Sequence, residues 1–182
     1  MAYCISATLK GISTDCQPNL GGIAKVYIAN YADGIYSIDD VSSAETAGVV
    51  TAINSSITWY QYNFRAESSN FTSTLNKTAD GGNYVSTEIV LNFARQETEK
   101  RLEMNALALN EIAVVVKDNN NKYWAFGIDR PVASSAGSAE TGTAFGDANR
   151  YSITLLSNDS RFAPELNADA ITALLSKVEN KD

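Results

Sequence analysis

The most constraining feature of the sequence is a regular alternation of side-chain types between residues 85 and 94. Apolar or β-branched side chains occupy every second position, namely Val85, Thr87, Ile89, Leu91 and Phe93. Polar or small side chains occupy most of the positions between them, namely Ser86, Glu88, Asn92 and Ala94. Because successive side chains of a β-strand point to opposite faces of its sheet, this segment predicts a strand with one buried and one polar face. The polar face suits a wall that faces water.

Further segments rich in β-branched and aromatic residues predict more strands along the chain. They lie at residues 23–29, 57–64, 71–76, 112–117, 123–128 and 151–156, with shorter pieces at 35–38 and 49–50. The segments 112–117 and 123–128 flank a polar turn and predict a hairpin. We therefore expect a mainly β (α+β) fold, an antiparallel β-barrel or sandwich flanked by helices.

Two segments change to the helical period. Residues 96–109 are rich in helix formers, with Glu97 and Glu99 in the first turn, where the helix dipole favours acidic groups. Leu102, Ala106 and Leu109 are predicted to form the apolar stripe of this flanking helix. A C-terminal helix is expected over about residues 167–179, with Asn167 as its N-cap. Its predicted apolar face consists of Ile171, Leu174, Leu175 and Val178.

The 182 residues are expected to form a single domain, residues 1–182. An N-terminal arm is expected over about residues 1–22, where Gly and Pro interrupt a few apolar positions. Residues 131–148 are dominated by Ala, Ser, Gly and Thr and predict a long loop. Loops of that length inside a compact domain usually bind, take part in assembly or move.

The N-terminus lacks a basic segment followed by an apolar run, so we expect no signal peptide and synthesis in the cytoplasm. The longest apolar runs, such as Val114 to Val116, are far shorter than a membrane span requires, and we expect no membrane partner. In a reducing compartment Cys4 and Cys16 are expected to remain thiols. A disulfide bond between Cys4 and Cys16 is the alternative if the protein belongs to a particle that leaves the cell.

The net charge of −7, from 14 basic and 21 acidic residues, disfavours a stable nucleic-acid-binding module. It is compatible with a protein that encloses DNA loosely. A negative wall would let a polyanion pass without adhering to it.

The chain contains no histidine. This removes the usual general base, the Ser-His and Cys-His dyads and the commonest metal ligand. Carboxylate, lysine and tyrosine chemistry remain conceivable, but no motif points to them. We expect no enzyme, no catalytic, cofactor-binding or metal-binding residues, and no cofactor.

Several groups of residues resemble parts of known metal-binding, phosphate-binding or catalytic sites. Residues 118–121 resemble the start of a calcium loop, but Tyr123 and Asp129 stand where an EF-hand needs Gly and Glu, so a polar hairpin turn is favoured. A phosphate loop is suggested by three glycines, Gly137, Gly142 and Gly146, but the Lys-Ser/Thr pair and the helix start of such a loop are missing.

The acidic residues have simpler explanations. A solvated turn explains Asp39 and Asp40. Glu88, Glu97 and Glu99 could supply paired carboxylates, but Glu97 and Glu99 are two residues apart at a helix start and do not face each other.

The aromatic residues Trp59, Tyr60, Tyr62 and Phe64 divide between the two faces of one predicted strand. Core or subunit-contact packing is the favoured use of such residues. Stacking on sugars or bases is the alternative.

A series of segments, in their order along the chain, resembles a known class of proteins. They are Asn19-Leu20-Gly21-Gly22-Ile23, Lys25-Val26-Tyr27-Ile28-Ala29-Asn30-Tyr31, Tyr62-Asn63-Phe64-Arg65, Ser73-Thr74-Leu75-Asn76, Asn83-Tyr84-Val85-Ser86-Thr87-Glu88-Ile89, Lys100-Arg101-Leu102-Glu103-Met104, Asp118 to Trp124, Gly142-Thr143-Ala144 and Asn149-Arg150-Tyr151. Over roughly residues 3–160 the chain resembles virion structural proteins of phages that infect gut Bacteroidetes, including the crAss-like phages.

The resemblance implies a bacteriophage neck ring, tail tube or portal–tail connector subunit with a tail-tube-type β-barrel. It implies a homo-oligomeric ring whose partners are further copies of the chain and other neck, tail or portal-proximal proteins. Genomic DNA would be a non-specific passing cargo in the channel. The protein would be found in the virion neck or tail after assembly in the host cytoplasm.

Two other functions remain open from the residues. A β-sandwich carbohydrate-binding or adhesion module would use the aromatic residues between Trp59 and Phe64. An effector-type enzyme using carboxylates such as Glu88 or Glu97 is the least favoured.

Overall fold

The computed structural model describes residues 12, 19–39, 48–65 and 67–179. The expected N-terminal arm lies largely outside these residues, as do Cys4, Cys16 and Asp40. The strands are β1 (Ile23–Asn30), β2 (Tyr36–Asp39), β3 (Val49–Ile53), β4 (Trp59–Asn63), β5 (Asn70–Lys77), β6 (Asn83–Ala94), β7 (Ile112–Asp118), β8 (Tyr123–Phe126), β9 (Ala133–Glu140), β10 (Arg150–Asp159) and β11 (Val178–Glu179). The helices are α1 (Thr98–Leu109) and α2 (Ala168–Ser176).

The central layer is a five-stranded sheet in the order β11-β4-β1-β7-β8. Its strands are antiparallel except for the short β11, which pairs in parallel with β4. Both faces of β7 are buried from Ile112 to Val116, which explains its uninterrupted apolar sequence. A strand with only one buried face would alternate instead.

The second large sheet has the order β5-β6-β10-β9 and is antiparallel throughout. In β6, Val85, Thr87, Ile89 and Leu91 are buried, so the predicted alternation is confirmed. Ile153 and Leu155 of β10 lie opposite Leu91 and Ile89 and extend the buried face. The hydrophobic pattern therefore fixes the register of these strands, since a slip by one residue would turn every apolar side chain outward.

The two sheets pack face to face around one core. It combines Val26, Ile28, Val114 and Phe126 of the central sheet with Ile89, Leu91, Ile153 and Leu155 of the four-stranded sheet, and with Leu107 of α1. Burial of one such side chain contributes about 1.5–3 kcal/mol. The predicted mainly β fold is confirmed. Of the two architectures that the sequence left open, the described residues form an open, sandwich-like arrangement in which no sheet closes into a barrel.

The other face of the central sheet is covered by the β2–β3 hairpin and by α2. Ala170 and Leu174 of α2 pack with Val50 of β3 and with Trp59 and Val115 of the central sheet. Asn167 caps α2, since its side-chain oxygen accepts a hydrogen bond from the Ala170 amide at 2.8 Å. The prediction of a C-terminal helix with this N-cap is confirmed, although the helix ends at Ser176.

The predicted long loop over residues 131–148 is wrong for residues 133–140. These residues form β9, which pairs with β10 from Ala133↔Leu156 to Arg150↔Glu140. Small residues have low β-propensity, but an exposed edge strand requires little side-chain packing when its backbone pairs with a neighbour. Only residues 141–149 form the connecting turn.

The predicted apolar stripe of α1 is also wrong. Leu102 and Leu109 are 59% and 86% exposed, whereas Leu107 is buried and Met104 packs against the core. Apolar side chains occupy more than one side of this helix, so its pattern did not define a single buried face. The helix itself begins and ends close to the predicted residues.

Candidate functional site

The outer face of the four-stranded sheet is a polar surface that the sequence pattern and the strand register define together. We call it the polar sheet face. Its side chains alternate with those of the core and come from positions that the strand registers align. They are Asn70, Thr72, Thr74, Asn76, Tyr84, Ser86, Glu88, Val90, Asn92, Ala136, Ser138, Ser152, Thr154, Leu156 and Asn158.

Charge is nearly absent from the polar sheet face. Glu88 is the one ionisable carboxylate among these positions, and none of them is Lys or Arg. At one end of the sheet, Arg150 and Glu140 lie opposite each other and form an ion pair of 3.3 Å, which offsets their charges. This pair lies on the same face by strand register, and apart from it the face presents hydroxyl and amide groups, with no unpaired cation to bind phosphates tightly.

Hydrogen bonds that involve side chains hold the sheet in register. The hydroxyl groups of Ser73 and Thr87 lie 2.8 Å apart across β5 and β6. The Asn92 amide donates to the Ser69 hydroxyl at 3.1 Å, and the Asn92 side chain donates to the Ser68 carbonyl. These bonds tie the end of β6 to the segment that leads into β5.

The two outer strands of this sheet are β5 and β9, and α1 lies close to β9. No described strand pairs with the outer side of either one. Every residue of β9 except Ser134 is exposed. Beyond an irregularity between Ser134 and Ala136, β9 pairs regularly with β10, and it contains neither Lys nor Pro. Strand β9 therefore lacks the residues that commonly protect an edge, whereas β5 carries one of them, Lys77, at its end.

The turn between β9 and β10 is an ordered projection, which we call the Phe145 turn (residues 141–149). The Asp147 carboxylate accepts hydrogen bonds of 2.7 Å from the amides of Thr143 and Ala144. These bonds lower the pKa of Asp147, so the carboxylate stays ionised and keeps the turn closed. Phe145 is fully exposed on this turn.

The base of the Phe145 turn is attached to the end of β6. The Asn149 carbonyl accepts from the Arg95 amide at 2.7 Å, and its side-chain oxygen accepts from the Gln96 amide at 2.9 Å. The sequence prediction did not identify Phe145 as a functional residue. The sequence feature that could have identified Phe145 is its position as a lone aromatic residue within a segment of small and turn-forming residues.

The aromatic residues of the predicted stacking strand mostly belong to the core. Trp59 is completely buried beside Tyr36, with ring centroids 6.1 Å apart. Tyr62 and Phe64 pack against Phe93 at centroid distances of 5.9 and 5.1 Å. Tyr60 differs from these because it is 47% exposed.

The polar segment from Asp118 to Asn121 is a hairpin turn, as predicted. The Asp118 carboxylate accepts hydrogen bonds from the amides of Asn120 and Lys122, each at 2.8 Å, and from the Trp124 indole at 3.0 Å. Asn121 has a φ of 63°, the left-handed conformation that Asn tolerates. Both carboxylate oxygens of Asp118 therefore serve to close the turn.

The remaining candidate groups do not come together. Gly137 lies within β9, whereas Gly142 and Gly146 belong to the Phe145 turn. Glu88 lies six residues before the end of β6, about 20 Å along the strand from the segment that carries Glu97. Among residues 19–39, 48–65 and 67–179, no three Asp, Glu or Cys side chains are placed to hold a metal ion.

No helix in the described part of the chain is long and apolar enough to cross a membrane. Comparison of the chain with protein-family models, with curated proteins and with solved structures finds no match.

Proposed function

We propose that this chain is a non-enzymatic structural subunit of a phage virion that assembles with copies of itself into a ring or tube of the neck or tail. The channel of that ring would form part of the passage for DNA. The observation that carries the proposal is the pair of open, exposed edges, β5 and β9, on opposite sides of one sheet.

The directions of the two edge strands support a repeating contact. The four strands alternate in direction, so β5 and β9 run antiparallel to each other. When β9 of one subunit meets β5 of the next, the antiparallel order continues across the boundary. A contact between two different edges is heterologous, and it generates a closed ring if the rotation between subunits closes.

The polar sheet face supports the assignment of the channel wall. A lumen for DNA requires water-compatible groups and few cations, because each contact between a phosphate and a Lys or Arg adds to the affinity. The face supplies hydroxyl and amide groups, the carboxylate of Glu88 and the Arg150–Glu140 ion pair, whose charges offset each other. DNA would therefore pass as a non-specific cargo without being held.

Other exposed groups suit contacts with neighbouring subunits or with other neck, tail or portal-proximal proteins. Phe145 projects from a turn that is already ordered, which reduces the entropy cost of docking it into a pocket. Leu102 and Leu109 leave an apolar side of α1 exposed. Buried aromatic and aliphatic side chains of this kind supply much of the energy of protein interfaces.

Charges placed on the two edges test the proposal. The variant Thr74→Lys/Ser138→Lys places a lysine on each edge strand, where lysine opposes the addition of another strand, and we expect the oligomer to dissociate. The control Ser86→Lys/Ser152→Lys adds the same charge to the same face on the central strands β6 and β10. We expect this control to remain assembled.

Sedimentation velocity measures the size of the assembly for both variants and for the wild-type chain. A third variant, Thr74→Glu/Ser138→Lys, places opposite charges on the two edges and should restore assembly. If the central-strand control dissociates as much as the edge variant, the edges do not form the contact and the proposal fails.

A further inference from the structure

A groove of about 500 Å³ lies between β4 and α1. We call it the β4–α1 groove. Its floor is apolar and aromatic and is formed by Tyr60, Tyr62, Phe93, Met104 and Leu107. Its volume lies within the range of sites that hold small ligands or a few side chains of a partner.

The side chains of the groove floor pack against one another and against the core. The Phe93 ring contacts Tyr62 edge-on and Phe64 in a tilted arrangement, geometries that aromatic pairs favour. Leu107 is 4% exposed and fixes α1 to the core. A ligand would therefore meet a surface that is already formed.

The rim of the groove is acidic. It carries Glu97, Glu99, Glu103 and Glu179, and one cation, Lys100. The Lys100 ammonium is already engaged, since it donates to the Ala94 carbonyl at 2.8 Å and lies 3.1 Å from the Glu97 carboxylate. The lining therefore keeps an excess of negative charge beside an apolar floor.

Glu103 is held over the aromatic floor. The Tyr62 hydroxyl donates to its carboxylate at 3.1 Å, and burial raises the pKa of Tyr62, so this hydroxyl stays protonated. In the described residues no Lys or Arg forms an ion pair with Glu103. Its charge is thus oriented toward the groove and still available to a cation.

We infer that the β4–α1 groove docks a basic segment of a partner protein, with the aliphatic part of an Arg or Lys side chain on Tyr60 and Tyr62 and its charged end at Glu103. Arg and Lys combine an apolar stem with a cationic end, which matches an aromatic floor under an acidic rim. The rim repels nucleic acid and anionic lipid headgroups. This inference does not depend on the assembly proposed above.

A short fluorescent peptide rich in arginine and leucine serves as the probe, and fluorescence anisotropy measures its binding to the full chain. We expect saturable binding, and at least a tenfold loss when citrulline, a neutral analogue, replaces arginine. A tenfold change corresponds to about 1.4 kcal/mol. Equal binding of the arginine and citrulline peptides would overturn the inference, as would no binding of either.

Matched variants separate the groove from the overall acidity of the protein. Glu103→Gln/Glu179→Gln removes two rim charges, and Asp80→Asn/Glu111→Gln removes two exposed charges outside the groove. We expect the first pair to weaken binding about tenfold and the second less than about twofold, because exposed charges away from the contact are screened. Tyr60→Ala should weaken binding several-fold. Equal losses for the two charge pairs would refute docking in the groove.

Discussion

Asp159 at the end of β10 is predicted to be a main support of the turn that follows β8. Its side chain is buried, with 8% exposure. One carboxylate oxygen accepts hydrogen bonds of 3.0 Å from the amides of Ile128 and Asp129. The other accepts from the buried Ser157 hydroxyl at 2.5 Å. Substitutions at Asp159 therefore test whether these hydrogen bonds stabilise the fold.

The two substitutions Asp159→Ala and Asp159→Asn should differ widely in their effect. Alanine leaves two partly buried amides and one buried hydroxyl without their acceptor, and each orphaned group costs about 1–3 kcal/mol. We expect a loss of about 4 kcal/mol in the free energy of unfolding. Asparagine keeps an acceptor for both amides, and its NH₂ group can donate to Ser157, so the expected loss is about 1 kcal/mol.

Urea unfolding followed by tryptophan fluorescence measures both losses, since Trp59 is completely buried in the native state. With a slope of about 1–3 kcal/mol per molar urea, the midpoint should fall by more than about 1 M for the alanine variant and by less for the asparagine variant. Equal losses would refute the reasoning, because they would make the negative charge of Asp159 the important property instead of its acceptor geometry.

Two further predictions concern the same unfolding equilibrium. Gly127→Ala should lower the free energy of unfolding by about 2 kcal/mol more than Gly81→Ala does. Both residues have a positive φ, but only at Gly127 would an added Cβ lie close to a neighbouring side chain, 3.2 Å from Val132. Equal losses in urea unfolding would contradict this packing. Stability should fall as the pH rises from about 10 to 12, because burial raises the pKa of Tyr27 to about 12 while unfolded tyrosines ionise near 10. An unfolding free energy that stays constant over this range would contradict the assignment of Tyr27 as buried and protonated.

Hydrophobic periodicity predicted the elements whose packing requires it. The alternation in β6 and the apolar run of β7 follow from one buried face and two buried faces, respectively. Strand β9 escaped prediction because its small exposed side chains carry no such pattern. Strand β9 forms because its backbone pairs with β10. Most of the paired residues are separated by more than ten positions in the sequence, so a local pattern does not reveal the pairing.

The candidate site was predictable only in part. The polar positions of β6 were evident from the sequence, but their neighbours on β5, β9 and β10 depend on strand register. In β4 the alternation places Trp59 and Tyr60 on opposite faces of the sheet. The sequence does not indicate which of the two faces is more deeply buried. Which residues form the β4–α1 groove depends on how α1 is rotated, and several apolar positions on this helix made its rotation ambiguous.

The mass and shape of the purified wild-type chain test the central claim of self-assembly most directly. Light scattering after size exclusion gives the mass, and negative-stain microscopy of the same peak gives the shape. The account predicts an oligomer with a constant number of subunits, visible as rings or short tubes of one diameter. A monodisperse monomer that persists at the highest attainable protein concentration would contradict it.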